Sequence, residues 1–174
     1  MKQGIMAADC SLEIKQLAME LHDLCLKRGY RIGTAESCTG GMIAGAITAV
    51  PGSSEYFLGG IVSYASSVKM SVLGVPGEIL NINSSVSSEC AEAMALGAAR
   101  VLNVNCAVSV TGIAGPGGGT DETPVGTVWF GLSVNGRTHT EKRLFDGDRD
   151  EVRRQTVLHA LRLVIKAMAE DWRW

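Results

Sequence analysis

Stretches of strand type and stretches of helix type alternate along this chain, and that alternation limits the folds open to it. Residues 11–28 mix apolar and charged side chains at helical spacing, and Gly29 is a natural stop. Residues 30–35 read as a short strand. Residues 39–50 are small, apolar and helical in type, ending at Pro51-Gly52. A second strand is predicted over 57–64 and a short helix over 65–73. Residues 87–102 predict a helix with Ser87 as N-cap and Glu89 in its first turn. Residues 103–111 have the apolar pattern of a buried strand. Two further strands, 125–134 and 137–145, flank Asn135-Gly136, a strong hairpin turn. Residues 148–169 form a closing helix whose Asp148 and Glu151 predict a capping box. The order predicts an α/β fold: a three-layer α/β/α domain with a mixed, largely parallel sheet and one antiparallel hairpin. One domain is expected over residues 1–174, with residues 1–10 flexible.

Composition excludes several classes. Of 174 residues, 46% are hydrophobic and 20% charged, too apolar a balance for a disordered chain. Sixteen Lys and Arg against 18 Asp and Glu leave a net charge of −2, with no basic footprint for nucleic acid. No 18-residue apolar run predicts a membrane span, and the first ten residues lack the core of a signal peptide. The five cysteines are odd in number, widely spaced and without a CxxC, which argues against a disulfide framework and for a cytoplasmic location. His22, His139 and His159 sit inside predicted regular elements, so neither a metal nor a cofactor is expected. Ala-rich helices, with Trp172 and Trp174 at the end, point to burial against a second copy and hence a homo-oligomer.

Glycine is abundant, at 21 of 174 residues, and seven glycines fall in two loops that follow predicted strands. The first loop is Thr34-Ala35-Glu36-Ser37-Cys38-Thr39-Gly40-Gly41. A strand-to-helix junction places side chains at the carboxyl edge of a sheet, where α/β proteins bind ligands. Ser37 is a candidate nucleophile there, with the N–H groups of residues 38–41 available to an oxyanion. The plainer alternative is that Ser37 or Thr39 caps a helix. Cys38 is a rival nucleophile, because a helix N-terminus lowers a thiol pKa. The second loop, Thr111 to Thr120, holds Gly112 and Gly115 among five glycines and is either a ligand wall or a surface loop. Tyr64 ends a predicted strand, and Lys69 follows in a stretch otherwise free of charge. A partly buried Lys69 is a candidate base, and a solvated Lys69 the alternative. Arg149, Arg153 and Gln155 cluster at the start of the last helix, suited either to a phosphate or to ion pairs with neighbouring acids.

Six blocks in order resemble the C-terminal domain of the competence/damage-inducible protein CinA: T-A-E-S-C-T-G-G (34–41), P-G-S-S-E-Y-F-L-G-G (51–60), Y-A-S-S-V-K (64–69), V-T-G-I-A-G-P-G-G-G-T (110–120), P-V-G-T-V-W (124–129) and G-D-R-D-E-V-R-R-Q (147–155). The stand-alone members of that family are nicotinamide-nucleotide amidases. The resemblance implies deamidation of nicotinamide mononucleotide to nicotinate mononucleotide and ammonia, in pyridine-nucleotide recycling, with no metal or cofactor. It implies Ser37 as nucleophile, Lys69 as base and Tyr64 near the pair. It also implies that Cys38, Thr39, Gly40, Gly41, Thr111, Gly112 and Gly115 shape the substrate site, with Arg149, Arg153 and Gln155 serving phosphate or subunit contacts. The family often has Y-S-N-E-A-K where this chain has Tyr64-Ala65-Ser66-Ser67-Val68-Lys69, so an Asn-Glu pair is missing. The competing class is a non-catalytic nucleotide-binding or regulatory module linked to competence or DNA damage. The expected partner is a small nucleotide, with no nucleic acid and no membrane.

Overall fold

The computed structural model describes the backbone of residues 2–170 and the side chains of residues 10–170. Trp172 and Trp174, singled out above, lie outside the described residues. The elements are α1 (Lys2–Arg28), β1 (Ile32–Glu36), α2 (Met42–Thr48), β2 (Phe57–Val62), α3 (Ser66–Ser71), α4 (Gly77–Ile82), α5 (Ser88–Leu102), β3 (Cys106–Gly112), β4 (Thr127–Val134), β5 (Arg137–Leu144) and α6 (Arg149–Ala169).

Three local features differ from the expectations. Helix α1 begins at Lys2 rather than at residue 11, since nothing stronger than the single Gly4 interrupts residues 2–10. Helix α2 begins late, at Met42, because Gly40 and Gly41 both adopt positive φ, 61° and 101°, and extend the turn after β1. Helix α4 was not anticipated, although Pro76 before it and Glu78 in its first turn are ordinary start signals. Elsewhere the local chemistry performs as its residue types dictate. Ser87 accepts from the Cys90 amide, Asp148 and Glu151 form the capping box, and Asn135 and Gly136 turn the hairpin at φ 51° and 81°.

The sheet order is β2-β1-β3-β4-β5. Strand β1 pairs in parallel with both β2 and β3, while β4 is antiparallel to both β3 and β5. Four strands therefore run one way and β4 alone runs against them. On one face Ile32, Val108, Val110, Phe130 and Leu132 pack under α1, α2 and α6, against Leu21, Ile43, Leu161 and Val164. On the other face Ala35 and Ala107 meet Leu73, Val75, Cys90, Met94 and Ala98 beneath α5.

The second face is built from small residues because α5 lies very close to the sheet. A Cβ at Gly131 would sit 2.2 Å from the Ala91 carbonyl oxygen, and the Ser109 hydroxyl donates to that same oxygen at 2.5 Å. A Cβ at Gly97 would meet the Leu73 carbonyl oxygen at 2.1 Å. Part of the glycine excess thus serves packing between layers rather than a ligand loop.

Candidate active site

Strand β1 lies between β2 and β3, so the residue that follows it emerges at the carboxyl edge of the sheet's parallel part, flanked by a strand on either side. That residue is Ser37, whose amide N–H donates to the Val110 carbonyl at 3.0 Å. Across the β1–β2 pairing, Ser63 donates its N–H to the Glu36 carbonyl at 2.8 Å, which fixes the exit of β2 toward α3. One turn along α3, Lys69 points back under this edge and is only 1% exposed.

Lys69 Nζ lies 2.9 Å from Ser37 Oγ, 2.6 Å from the Ser63 carbonyl oxygen and 3.5 Å from the Tyr64 carbonyl oxygen. Among the described residues no carboxylate pairs with it. Burial without an anion pulls its ammonium below the ordinary lysine value of 10.5, and the fields of Cys90 and Cys38 oppose this. A neutral amine has two N–H groups and one lone pair. The two carbonyls accept only, so the lone pair is left to face the Ser37 hydroxyl.

Glu36 was not read as a site residue, although it stands in the middle of the first motif. Its carboxylate is buried and accepts five hydrogen bonds. Oε2 takes the Thr39 hydroxyl at 2.6 Å and the amides of Gly41 and Ile43 at 3.0 Å each. Oε1 takes the Ala44 amide at 2.8 Å and the Thr34 hydroxyl at 3.4 Å. The carboxylate satisfies the open amides at the start of α2, where Gly41 has no side chain to do so.

These bonds correct the site expectations for the first loop. Gly41 N–H is spent on Glu36 and Gly40 N–H on the Ser37 carbonyl at 3.1 Å, so neither is a free oxyanion donor. Thr39 is fully buried with its hydroxyl on Glu36 and does not reach the ligand space. Among the described residues the amides of Cys38 and Thr39 have no backbone acceptor. Burial pushes the Cys38 thiol up to about 11, with the Glu36 carboxylate adding to the rise and Lys69 and Arg153 opposing it.

Above the serine–lysine pair opens a cleft of about 590 Å³. Ser37, Cys38, Lys69 and Tyr64 line it on one side, and Thr111, Gly112 and Gly115 of the second glycine loop on the other. Arg149 closes one end: its guanidinium donates to the Gly115 carbonyl at 2.8 Å and to the Tyr64 hydroxyl at 3.2 Å. Tyr64 is thereby a rim residue, 61% exposed, rather than a member of the buried pair. The segment Ser84 to Val86 completes the wall and was missed, because nothing in its composition marks it. It is held by Thr111, whose hydroxyl donates to the Ser85 carbonyl at 2.6 Å.

Arg153 and Gln155 do not line the cleft. Arg153 donates to the Cys38 and Thr39 carbonyls from behind the turn, and Gln155 donates to the Asp146 carbonyl at 2.7 Å, so both are committed to backbone. The departure at residues 65–68 falls at the start of α3, where Ser66 and Ser67 are exposed and outside the cleft.

A three-layer α/β domain with a buried, carboxylate-free serine–lysine pair at the carboxyl edge of its sheet defines the structural class. The chain belongs to the CinA C-terminal domain family, whose model matches residues 14–168. A nicotinamide-nucleotide amidohydrolase PncC of Pseudomonas putida is 47% identical over 148 residues, covering 85% of this chain and 92% of that protein. The protein of the same name from Escherichia coli K12 is 43% identical over 150 residues, covering 86% and 91%. A putative competence-damage inducible protein of Symbiobacterium thermophilum is 49% identical over 150 residues, but the chain covers only 35% of its length. The chain spans about a third of the length of several curated relatives of that longer type. Among solved structures, a CinA superfamily protein from Klebsiella pneumoniae superposes with TM-score 0.88 at 34% identity, covering 91% of this chain and 99% of that one. The competence/damage inducible protein CihA from Agrobacterium tumefaciens does so with TM-score 0.85 at 42% identity, covering 90% and 96%.

Proposed function

We propose that this chain is an amidohydrolase that converts nicotinamide mononucleotide and water to nicotinate mononucleotide and ammonia. The observation that carries the proposal is the 2.9 Å approach of a buried lysine amine, with no anion beside it, to the hydroxyl of Ser37. The names of the full-length relatives from P. putida and E. coli supply the substrate class.

Neutral Lys69 takes the Ser37 proton as Oγ attacks the carboxamide carbon, and the carbonyl π electrons move to oxygen. The unengaged amides of Cys38 and Thr39 are the donors for that oxyanion. As the tetrahedral intermediate collapses, the C–N bond breaks and Lys69 returns its proton to the departing nitrogen, releasing ammonia and an acyl-serine. A water molecule, deprotonated by Lys69, attacks the acyl carbon. The acyl–oxygen bond breaks, Ser37 recovers its proton, and nicotinate mononucleotide leaves. Arg149, at the end of the cleft, is the cation placed to meet a phosphate. The cleft volume of about 590 Å³ is ample for a nucleoside monophosphate.

Ammonia release from nicotinamide mononucleotide tests the proposal. Ser37→Ala and Lys69→Met should each lower kcat/KM by more than about 10³-fold while keeping a cooperative thermal melt. Wild-type turnover in Ser37→Ala refutes the serine chemistry. Tight calorimetric binding with no ammonia from the wild-type chain makes it a binding module instead.

A further inference from the structure

Arg153 stands near the start of α6 and faces the back of the turn that carries Ser37. Its Nε donates to the Cys38 carbonyl at 3.2 Å and its Nη2 to the Thr39 carbonyl at 3.0 Å. The third nitrogen, Nη1, is 3.7 Å from the exposed carboxylate of Asp150. A guanidinium with two of its three nitrogens on backbone carbonyls is placed to hold a turn, and it lies outside the cleft where a substrate would sit.

The peptide planes of this turn decide where its open amides point. In a planar trans peptide the carbonyl and the N–H point in opposite directions, and among the described residues the cis bond is at Gly115-Pro116, not here. Drawing the Cys38 carbonyl to Arg153 therefore aims the Thr39 N–H away from α6. The Gly40 N–H on the Ser37 carbonyl orients the Cys38 N–H by the same logic. The other amides of the turn and of the start of α2 are consumed by Glu36 or by backbone.

We infer that Arg153 is a positioning residue: from α6 it sets the peptide planes of residues 38–40, so that the unengaged amides meet the oxyanion formed when Ser37 attacks. Its charge polarises those peptides and strengthens their N–H donors. The field is felt at the turn, where it favours an anion on the Cys38 sulfur. This role rests on the serine amidohydrolase reading above and adds to it a group that never touches substrate.

Steady-state ammonia release by Arg153→Met and Arg153→Lys, with Ser37→Ala alongside, tests it. A donor that acts only in the transition state is worth kcat, so Arg153→Met should lose about 10- to 100-fold in kcat with KM within about twofold of wild type. Arg153→Lys, which keeps the charge but not the fork that spans two carbonyls, should recover only part of that loss and stay at least about threefold below wild-type kcat. Wild-type kcat in Arg153→Met, or a loss confined to KM, overturns the inference, the latter returning Arg153 to substrate binding. If Arg153→Met melts below the assay temperature, Arg153→Lys decides: reduced kcat at unchanged KM supports the role, and wild-type kcat overturns it. Turnover in Ser37→Ala would instead sink the underlying reading, whereas an inactive Ser37→Ala beside a fully active Arg153→Met sinks this inference alone.

Discussion

A lysine inside a protein with no anion beside it is tolerated chiefly as the free amine, and Lys69 is in that position. The activity should therefore show an acid limb: log kcat/KM rises with pH toward the depressed Lys69 value and levels above it, where the amine is already neutral. The same residue leaves a mark on stability. Between its lowered folded value and the ordinary 10.5, the unfolded chain binds a proton at this side chain and the folded chain does not. Wild type should thus gain stability relative to Lys69→Met as pH rises through that window, and run parallel to it below the window. Urea melts of both chains across the alkaline range check this, and parallel behaviour throughout would contradict a depressed lysine. Cys38 is the opposite case, a thiol held protonated at about 11 by burial. Cys38→Ala should keep kcat within about threefold of wild type, since a buried thiol is inert. Its inactivation, with Ser37→Ala still active, would hand the nucleophile's role to the sulfur.

At the scale of elements, the junction between β1 and α2 is the most heavily determined part of the chain. Seven residues of α2 begin behind two left-handed glycines, and a buried carboxylate from the end of β1 does the capping. Glu36→Gln replaces one acceptor oxygen by an amide group that faces donors, so it should destabilise the fold by about 1–3 kcal/mol in urea melts. It should also lower kcat, because Ser37 rides on that turn; unchanged stability and rate would remove Glu36 from this role. Helices with their own caps and the hairpin with its Asn-Gly turn were legible from sequence because their signals are local. The start of α2 was not, since its cap comes from a residue several positions upstream that only the turn brings back. The wall segment around Ser84 to Val86 was invisible for a similar reason, being held by Thr111 from a distant strand.

The whole molecule assembles its cleft from segments around residues 37, 64–69, 84–86, 111–118 and 149, which meet because β1 pairs with β2 on one side and β3 on the other and α6 brings Arg149 to their edge. Among the described residues no helix is long and apolar enough to cross a membrane. Leu12, Met19 and Leu26 of α1 are 56%, 60% and 46% exposed, a hydrophobic burden for a free monomer. We propose a homo-oligomer, so sedimentation equilibrium should return a multiple of 18.4 kDa; a concentration-independent monomer would refute it.

Local chemistry alone determined the alternation of elements, the three-layer class, the hairpin and the two capped helices, because helix caps, turn residues and apolar periods act within a few positions of themselves. It also marked Ser37 and Lys69, through a motif at a strand's end and a charge alone in an apolar stretch. Tertiary structure decided the rest. Burial, a property of the surroundings, pulls the Lys69 ammonium down and pushes the Cys38 thiol up. Packing sends several glycines to the sheet–α5 interface. Hydrogen bonding across the fold divides Arg149 from Arg153, setting the first at the cleft and the second behind the turn that carries Ser37.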